Sequence, residues 1–491
     1  MSLRLETIIR KNFHEEPGEP CLWWHGTWWS RGALEELVED CENNLRAGGF
    51  REGDRLALAL PNSPLFLAAT LAVWRLGGGV VPLNPQAGAE GLGRALEFAD
   101  AFGVLIPKDA GALGSALAAT GVPVAEAPLS GAVPEFPGRR GQPDSADTGV
   151  VFFTSGTTGH PKAVPLTHGN LYSDVAACLE RVDEIGQEEV FLNALPNFHA
   201  LGFTVCALMP LLSNFSQVLL PSFMPPEATL DAMRQGKVTV AAAVPTMIAL
   251  LMGVAARGQL VPSSLKLLIS GGDRMPSRLD ERARRILGLN VLEGYGLTET
   301  SPVLAVNPNY RTRKPGTVGP LLPGVEAQIR DPEGNLVLPG QEGKLWVRGP
   351  NVATSYFRDP ELTSRRFADG WFDTQDMVRQ DEDGYLTVIS RVSDIIIVGG
   401  FNVYPQEVEA VLAEHPAVRE VAVVGVPRSL SGEIVKAFVV PKNGATPTSR
   451  ELVAFCRERL PHYKVPRSVA FLEALPRSSI GEVLKRELKA R

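Results

Sequence analysis

The chain has 491 residues, enough for two or more domains and a large buried core. Its 44% hydrophobic and 21% charged residues are those of an ordinary globular protein, and a formal net charge of −7 without a basic arm excludes a dedicated nucleic-acid binder. The five cysteines are scattered without a CxxC pair, which favours reduced packing thiols over a disulfide framework or a zinc site.

Along the chain, the first twenty residues, MSLRLETIIRKNFHEEPGEP, are charged throughout and lack an apolar signal core, so a cytoplasmic protein is expected. Short apolar runs then alternate with helical patterns: DRLALALP with PLFLAATLAVWRLG, GVVFFTS with GNLYSDVAACLERV, TVAAAVP with TMIALLMGVAARG, and LKLLISGG with SRLDERARRIL. Repeated strand and helix predict an α/β fold, with mainly parallel sheets covered by helices. From Val190 to Pro226 no Asp, Glu, Lys or Arg occurs. Asn193, Pro196, Asn197, His199, Pro210, Asn214, Gln217 and Pro221 interrupt that run, so it reads as core and pocket wall rather than a transmembrane segment, leaving peripheral membrane contact open.

From about Pro302 the texture changes to strands punctuated by Gly and Pro, a β-rich subdomain over about 302–389 of an N-terminal domain spanning 1–389. After a hinge at 390–393, residues 394–491 read as a small α+β domain: strand DIIIV, helix PQEVEAVLAEH, strands REVAVVGVP and IVKAFVVP, and helix SRELVAFCRERL.

The stretch VFFTSGTTGHPKAVPLTHGN, residues 151–170, places Thr154, Ser155, Gly156, Thr157, Thr158 and Gly159 before Lys162. Glycine N–H groups and hydroxyls can surround phosphate oxygens without obstruction. The motif is not the P-loop GxxxxGK[ST], because His160 and Pro161 follow Gly159 and the residues after Lys162 alternate like a strand. The loop therefore joins two strands and reads as a flap over a polyphosphate, a plain polar hairpin being the alternative.

In LEGYGLTETSP, Tyr295 between Gly294 and Gly296 can lay its ring against a base, and Thr298 and Glu299 offer the hard oxygens that Mg²⁺ takes, with a decorated surface turn as the alternative. Asp376 in GWFDTQDMV can accept from two ribose hydroxyls. Arg391, at the domain boundary, is either a salt-bridging surface residue or part of the site.

In this order the motifs, with LPNFHALGF, ISGGDRMP, KPGTVGPLLPGVE and LPHYKVPRSVAFLEALP, resemble the AMP-binding, adenylate-forming superfamily, and within it the fatty acyl-CoA and acyl-carrier-protein synthetases. The resemblance runs from about residue 50 to the C-terminus. It implies a mobile C-terminal domain and two steps: a carboxylic acid attacks the α-phosphate of ATP, and a thiol of CoA or a carrier-protein phosphopantetheine then displaces AMP. It implies that the loop with Lys162 holds pyrophosphate and Glu299 holds Mg²⁺. Gly271, Gly272, Asp273 and Tyr295 would line the adenine pocket, Thr298 the α-phosphate, and Asp376 with Arg391 the ribose. His199 would border the carboxylate, and Gly399, Gly400 and Phe401 of VGGFNVYP would line a pantetheine tunnel after a rotation. The uncharged run after His199 suits an apolar acyl chain, so a fatty acid is the expected substrate.

The chain departs from the family pattern at several points. Gln375 precedes Asp376 where Gly is usual, Lys344 replaces a Glu, Ser355 replaces a Gly before Tyr356, and Ser393 replaces Asp or Lys in the hinge. Most consequential is Glu482 in PRSSIGEVLKREL, where the family has the Lys that reaches the substrate carboxylate and α-phosphate during adenylation. Three readings follow: an active ligase using another cation, a partial enzyme that mainly forms the thioester, and a non-catalytic binding homologue.

Overall fold

The computed structural model describes residues 3–139, 141–154, 162–258, 262–398, 401–428, 432–478 and 483–490. By its contacts the chain divides into two compact units, Met1–Glu326 with Val347–Phe372, and Ala327–Trp346 with Asp373–Arg491. The stretch 302–389 is thus shared between them. This division by contacts is a separate matter from the hinge expected at 390–393, and it falls earlier because the latter part of strand Trp371–Gln380 pairs with Leu386–Arg391.

Two sheets build the first unit among the described residues. One has the order Val124–Ala127, Gly103–Pro107, Arg55–Leu58, Gly79–Pro82, Thr148–Thr154, Lys162–Thr167, parallel except for the last pair. The other runs Val303–Val306, Leu292–Gly296, Leu267–Ser270, Val240–Ala243, Val190–Asn193, Ser216–Leu219, Pro20–Trp24, Thr27–Ser30, parallel inside and antiparallel at both ends. Arg55–Leu58, Gly79–Pro82 and Val240–Ala243 are buried along their whole length, as strands covered on both faces must be.

Helix ends follow their local chemistry. Ser63 caps helix Pro64–Arg75 by accepting from the Phe66 N–H, with Pro64 at the first helical position. Thr167 and Asn170 form a reciprocal capping box that starts helix His168–Arg181 immediately after strand Lys162–Thr167.

The uncharged run is mostly buried, with Asn214, Pro221, Ser222, Met224 and Pro225 exposed, and its local form is not an ordinary helix. Gly202–Leu208 is a π-helix leading into the short α-helix Met209–Leu212. A side chain at Gly202 would meet the Pro196 carbonyl oxygen at 2.3 Å, so the chain can fold back on the turn before it only with glycine there. Phe203 reaches from the π-helix to Phe152 at 5.4 Å and to Phe66 and Trp74 at 6.2 Å each, edge to face. A small pocket of about 20 Å³, lined mainly by apolar side chains, lies between the π-helix and helix Pro64–Arg75. No helix among the described residues is long and apolar enough to cross a membrane. All five cysteines are unpaired and buried, and desolvation holds their thiols high, at about 12 for Cys21, Cys41 and Cys206 and about 11 for Cys456.

In the second unit one sheet has the order Phe401–Val403, Ile396–Val398, Gly432–Pro441, Val418–Arg428, with Ser468–Phe471 parallel to Gly432–Pro441. Its core draws on Val408 and Leu412 of helix Pro405–Glu414 and on Leu452 and Cys456 of helix Ser449–Arg457.

Two of the sequence departures meet in this unit. Gln375 has φ +60, a conformation that glycine adopts without cost. Its side-chain amide donates to Asp373 Oδ2, and Lys344 Nζ donates to the same oxygen at 2.9 Å. The Gln375 backbone N–H donates to Asp373 Oδ1 at 3.0 Å. The replaced glycine and the replaced glutamate are therefore spent on one buried carboxylate. Ser355, in contrast, is not among the residues with positive φ, so its backbone has no need of glycine.

A left-handed conformation costs a side-chain-bearing residue about 1–2 kcal/mol, and the amide bond to Asp373 offsets roughly 1 kcal/mol of it. Gln375→Gly is expected to unfold thermally within a few degrees of the parent. Gln375→Ala, which keeps the strain and loses the bond, is expected to be less stable than Gln375→Gly by about 1 kcal/mol. An alanine variant as stable as the glycine variant in urea titration removes the argument.

Candidate functional site

Lys162 is the first residue of its strand, paired across the ladder with Thr154, whose hydroxyl donates to the Lys162 carbonyl at 3.4 Å. Ser155, Gly156, Thr157, Thr158 and Gly159, between these two, lie outside the described residues. Glu299 stands in the 3₁₀ turn Thr298–Thr300. The fold brings the two together: Lys162 Nζ lies 2.5 Å from Glu299 Oε1, and the Tyr356 hydroxyl donates to the same oxygen at 2.7 Å. Lys162 Nζ also sits 4.5 Å from the centre of the Tyr356 ring, a cation–π contact.

Glu299 is only 3% exposed. Burial by itself raises its pKa, but the Lys162 charge and the hydrogen bonds from Lys162 and Tyr356 outweigh it, and the carboxyl is held below its usual range. A carboxylate kept ionised beside a lysine is a suitable single protein ligand for Mg²⁺ where phosphates supply the other oxygens. One other cluster of possible ligand atoms, His14, Glu35 and Glu39, occurs among the described residues. Arg75 already holds Glu35 there at 2.6 Å, which marks an ion-pair network.

Strands Leu267–Ser270 and Leu292–Gly296 are parallel neighbours, Ser270 opposite Glu293, so Gly271–Asp273 and Gly294–Gly296 emerge side by side from their carboxyl ends. Ligands of parallel sheets bind at such ends. A side chain at Gly271 would stand 3.5 Å from Leu201, and one at Gly296 would meet the Pro302 carbonyl oxygen at 1.8 Å. Gly296 is thus required by the close approach of its own chain. Tyr295 and Thr298 are half-buried, and Asp273 is exposed and accepts from the Arg274 N–H at 2.7 Å.

His199 closes the turn after strand Val190–Asn193, its N–H donating to the Pro196 carbonyl at 3.0 Å. Burial lowers its imidazole to about 4, so the ring is neutral at pH 7. A buried amide lies at the base of this turn: Asn62 donates to the Leu195 carbonyl at 2.8 Å and accepts from the Asn197 N–H at 2.7 Å.

In the second unit Asp376 faces Arg391 across an antiparallel ladder, with Arg391 Nε 3.5 Å from Asp376 Oδ1. The carboxylate is 2% exposed and the arginine side chain 65% exposed. Phe401 is exposed and stacks on Tyr463 with centroids 4.8 Å apart. Gly399, Gly400 and Glu482 lie outside the described residues. Lys485, the next lysine after Glu482, stands 2.8 Å from Glu409.

Tyr356 is the contact that sequence reasoning missed. It drew notice only for the Ser355 before it, although an aromatic next to a departure from Gly is a signal that could have found it.

Residues 9–357 match the family model for AMP-binding enzymes, and residues 407–482 match that for the C-terminal domain of AMP-binding enzymes. A feruloyl-CoA synthase of Amycolatopsis sp is 38% identical over 471 residues, covering 95% of this chain and 94% of that protein. A long-chain-fatty-acid–CoA ligase of Yersinia pestis is 34% identical over 498 residues, covering 93% of this chain and 88% of its own. Among solved structures, ATP-bound MatB from Rhodopseudomonas palustris superposes with a TM-score of 0.88 at 32% identity, over 99% of this chain and 98% of that one. With a nucleotide-family model spanning most of the chain and CoA ligases similar along nearly all of it, this chain belongs to the AMP-binding, adenylate-forming enzyme family, among its AMP-forming acyl-CoA ligases.

Proposed function

We propose that the protein activates a medium- or long-chain fatty acid with ATP and passes the acyl group to the thiol of CoA. The observation that carries this reading is the lysine, carboxylate and tyrosine drawn together at Lys162, Glu299 and Tyr356. An acid oxygen bonds to the α-phosphorus as the bond to the bridging oxygen breaks, and pyrophosphate leaves. The CoA sulfur then attacks the acyl carbon, and AMP leaves with its oxygen.

In this reading Lys162 holds the departing pyrophosphate and Glu299 holds Mg²⁺, which when bound neutralises phosphate charge. Thr298 serves the α-phosphate, Gly271, Gly272, Asp273, Gly294, Tyr295 and Gly296 the adenine side, and Asp376 with Arg391 the ribose. Such displacement gains chiefly from positioning and charge neutralisation. The neutral His199 ring can border the acid without trapping it as an ion pair. Gly399, Gly400 and Phe401 serve the pantetheine arm in the second step, with 390–393 as the hinge.

The buried, uncharged run through the π-helix supports an apolar acyl chain. Since the similar proteins include both a feruloyl-CoA synthase and long-chain-fatty-acid ligases, an aromatic acid is the competitor. ATP–pyrophosphate exchange across saturated fatty acids and hydroxycinnamic acids decides between them. CoA and holo acyl carrier protein are offered in parallel as acceptors.

Lys162→Ala and Glu299→Ala are expected to lower exchange by about 10²–10³-fold with unchanged circular dichroism. In Lys162→Ala the charge and the hydrogen bond that lower the Glu299 pKa are lost, so its pKa rises and the acid limb of the residual activity moves to higher pH. Full exchange activity in both variants discards the phosphate and Mg²⁺ roles. Asp376→Ala is expected to raise KM for ATP several-fold while KM for the acid holds, and an effect on the acid alone contradicts the ribose role.

Glu482 favours a second reading, a partial enzyme that mainly forms the thioester. A carboxylate beside an attacking carboxylate and a phosphate sets like charges together in a partly desolvated site. Glu482→Lys is expected to speed pyrophosphate exchange at least tenfold and to leave consumption of a supplied acyl adenylate by CoA nearly unchanged. Brisk exchange in the parent with no gain in the variant removes this reading.

A further inference from the structure

Helix His168–Arg181 begins directly after the strand that carries Lys162, and two of its side chains grip the segments that carry Glu299 and Tyr356. Asn170 uses its amide oxygen for the capping box and its amide nitrogen for the carbonyls of Pro350 at 2.8 Å and Val352 at 3.2 Å. One turn further on, Asp174 Oδ1 accepts from the Val303 N–H at 3.0 Å and from the Asn351 amide at 3.3 Å. The Asn351 amide also donates to the carbonyls of Thr300 at 3.1 Å and Val303 at 2.8 Å, and Ser301 Oγ donates back to the Asn351 carbonyl at 2.7 Å.

Asp174, Thr300 and Ser301 are completely buried, and Asn351 is nearly so. The two segments joined here then close on each other, the Ala353 N–H donating to the Glu299 carbonyl at 2.8 Å. The Phe357 N–H, one residue past Tyr356, donates to the Ala163 carbonyl at 2.9 Å, one residue past Lys162.

We propose that Asp174 and Asn351 are positioning residues, which lock the turn 298–303 to the loop 350–353 and thereby set where the Glu299 carboxylate and the Tyr356 hydroxyl stand against Lys162. A buried polar network is seldom the most stable filling for a core, since apolar groups of the same volume do as well or better. What it supplies is direction. All but the bond between the Asp174 and Asn351 side chains fix a backbone group of the segments holding Glu299 and Tyr356, and an active site a fraction of an ångström out of place loses much of its rate. Burial holds the Asp174 carboxyl well above its ordinary range. Asparagine, with the same shape and an acceptor oxygen in the place of Oδ1, is its conservative replacement.

The inference rests on the catalytic reading of Glu299, and a double-mutant cycle separates the two. Asn351→Ala is expected to lower kcat of ATP–pyrophosphate exchange at least tenfold, with KM for the acid unchanged. In a Glu299→Gln background the same change is expected to cost less than threefold, because the group it positions is gone. Asp174→Asn is expected to stay within about threefold of the parent, whereas Asp174→Ala follows Asn351→Ala. Should Asn351→Ala fail to fold by circular dichroism, Ser301→Ala, which removes a single bond of the network, takes its place in the cycle. Equal losses in both backgrounds overturn the positioning role and leave the catalytic reading standing. Full activity of Glu299→Gln overturns the catalytic reading, and this inference with it.

Discussion

The site depends on one contact, the ammonium of Lys162 against the buried carboxylate of Glu299. Two charges withdrawn from water lose hydration that their mutual attraction repays only in good geometry, so a buried pair adds little to stability in itself. Breaking it is another matter, because the charge left behind has no compensation. The fold must therefore deliver a strand terminus and a 3₁₀ turn, 137 residues apart in sequence, to one point. Tyr356 completes the arrangement by giving the carboxylate a second donor and the ammonium a π face.

The parallel sheets deliver these parts without tension between local and global preference. Strands covered on both faces end together, and the chain leaving them can be rich in glycine and hydroxyls because packing is already complete below. Gly296 shows how tight that exit is, since Pro302 occupies the space where a side chain would begin. The neutral His199 and the π-helix after it form the apolar side of the same unit.

Much of this was legible in the sequence. The alternation of strands and helices is set by periodicity and turn residues, and the parallel sheets follow from it. Lys162 and Glu299 stood out because their neighbours, glycines and hydroxyls on one side and a Gly-Tyr-Gly turn on the other, are costly in any structure that does not use them. The π-helix was not legible, as one extra residue per turn leaves an all-apolar segment with no periodic mark. Nor was the network of Asp174 and Asn351, whose members lie far apart in sequence and look like any polar residues of a helix and a loop. The meeting of Lys344 and Gln375 on Asp373 was invisible for the same reason: each departure reads as independent until the ladder is drawn.

The placement of the cysteines has a consequence for self-protection. A ligase of this family makes an activated acyl group, and the nucleophile that such a group finds most readily is a thiolate. Here every cysteine thiol of the chain is interior, with its ionisation pushed further above neutrality by burial. The protein thus offers its own product no accessible thiol, and an incoming acceptor competes with water but not with the enzyme's own cysteines.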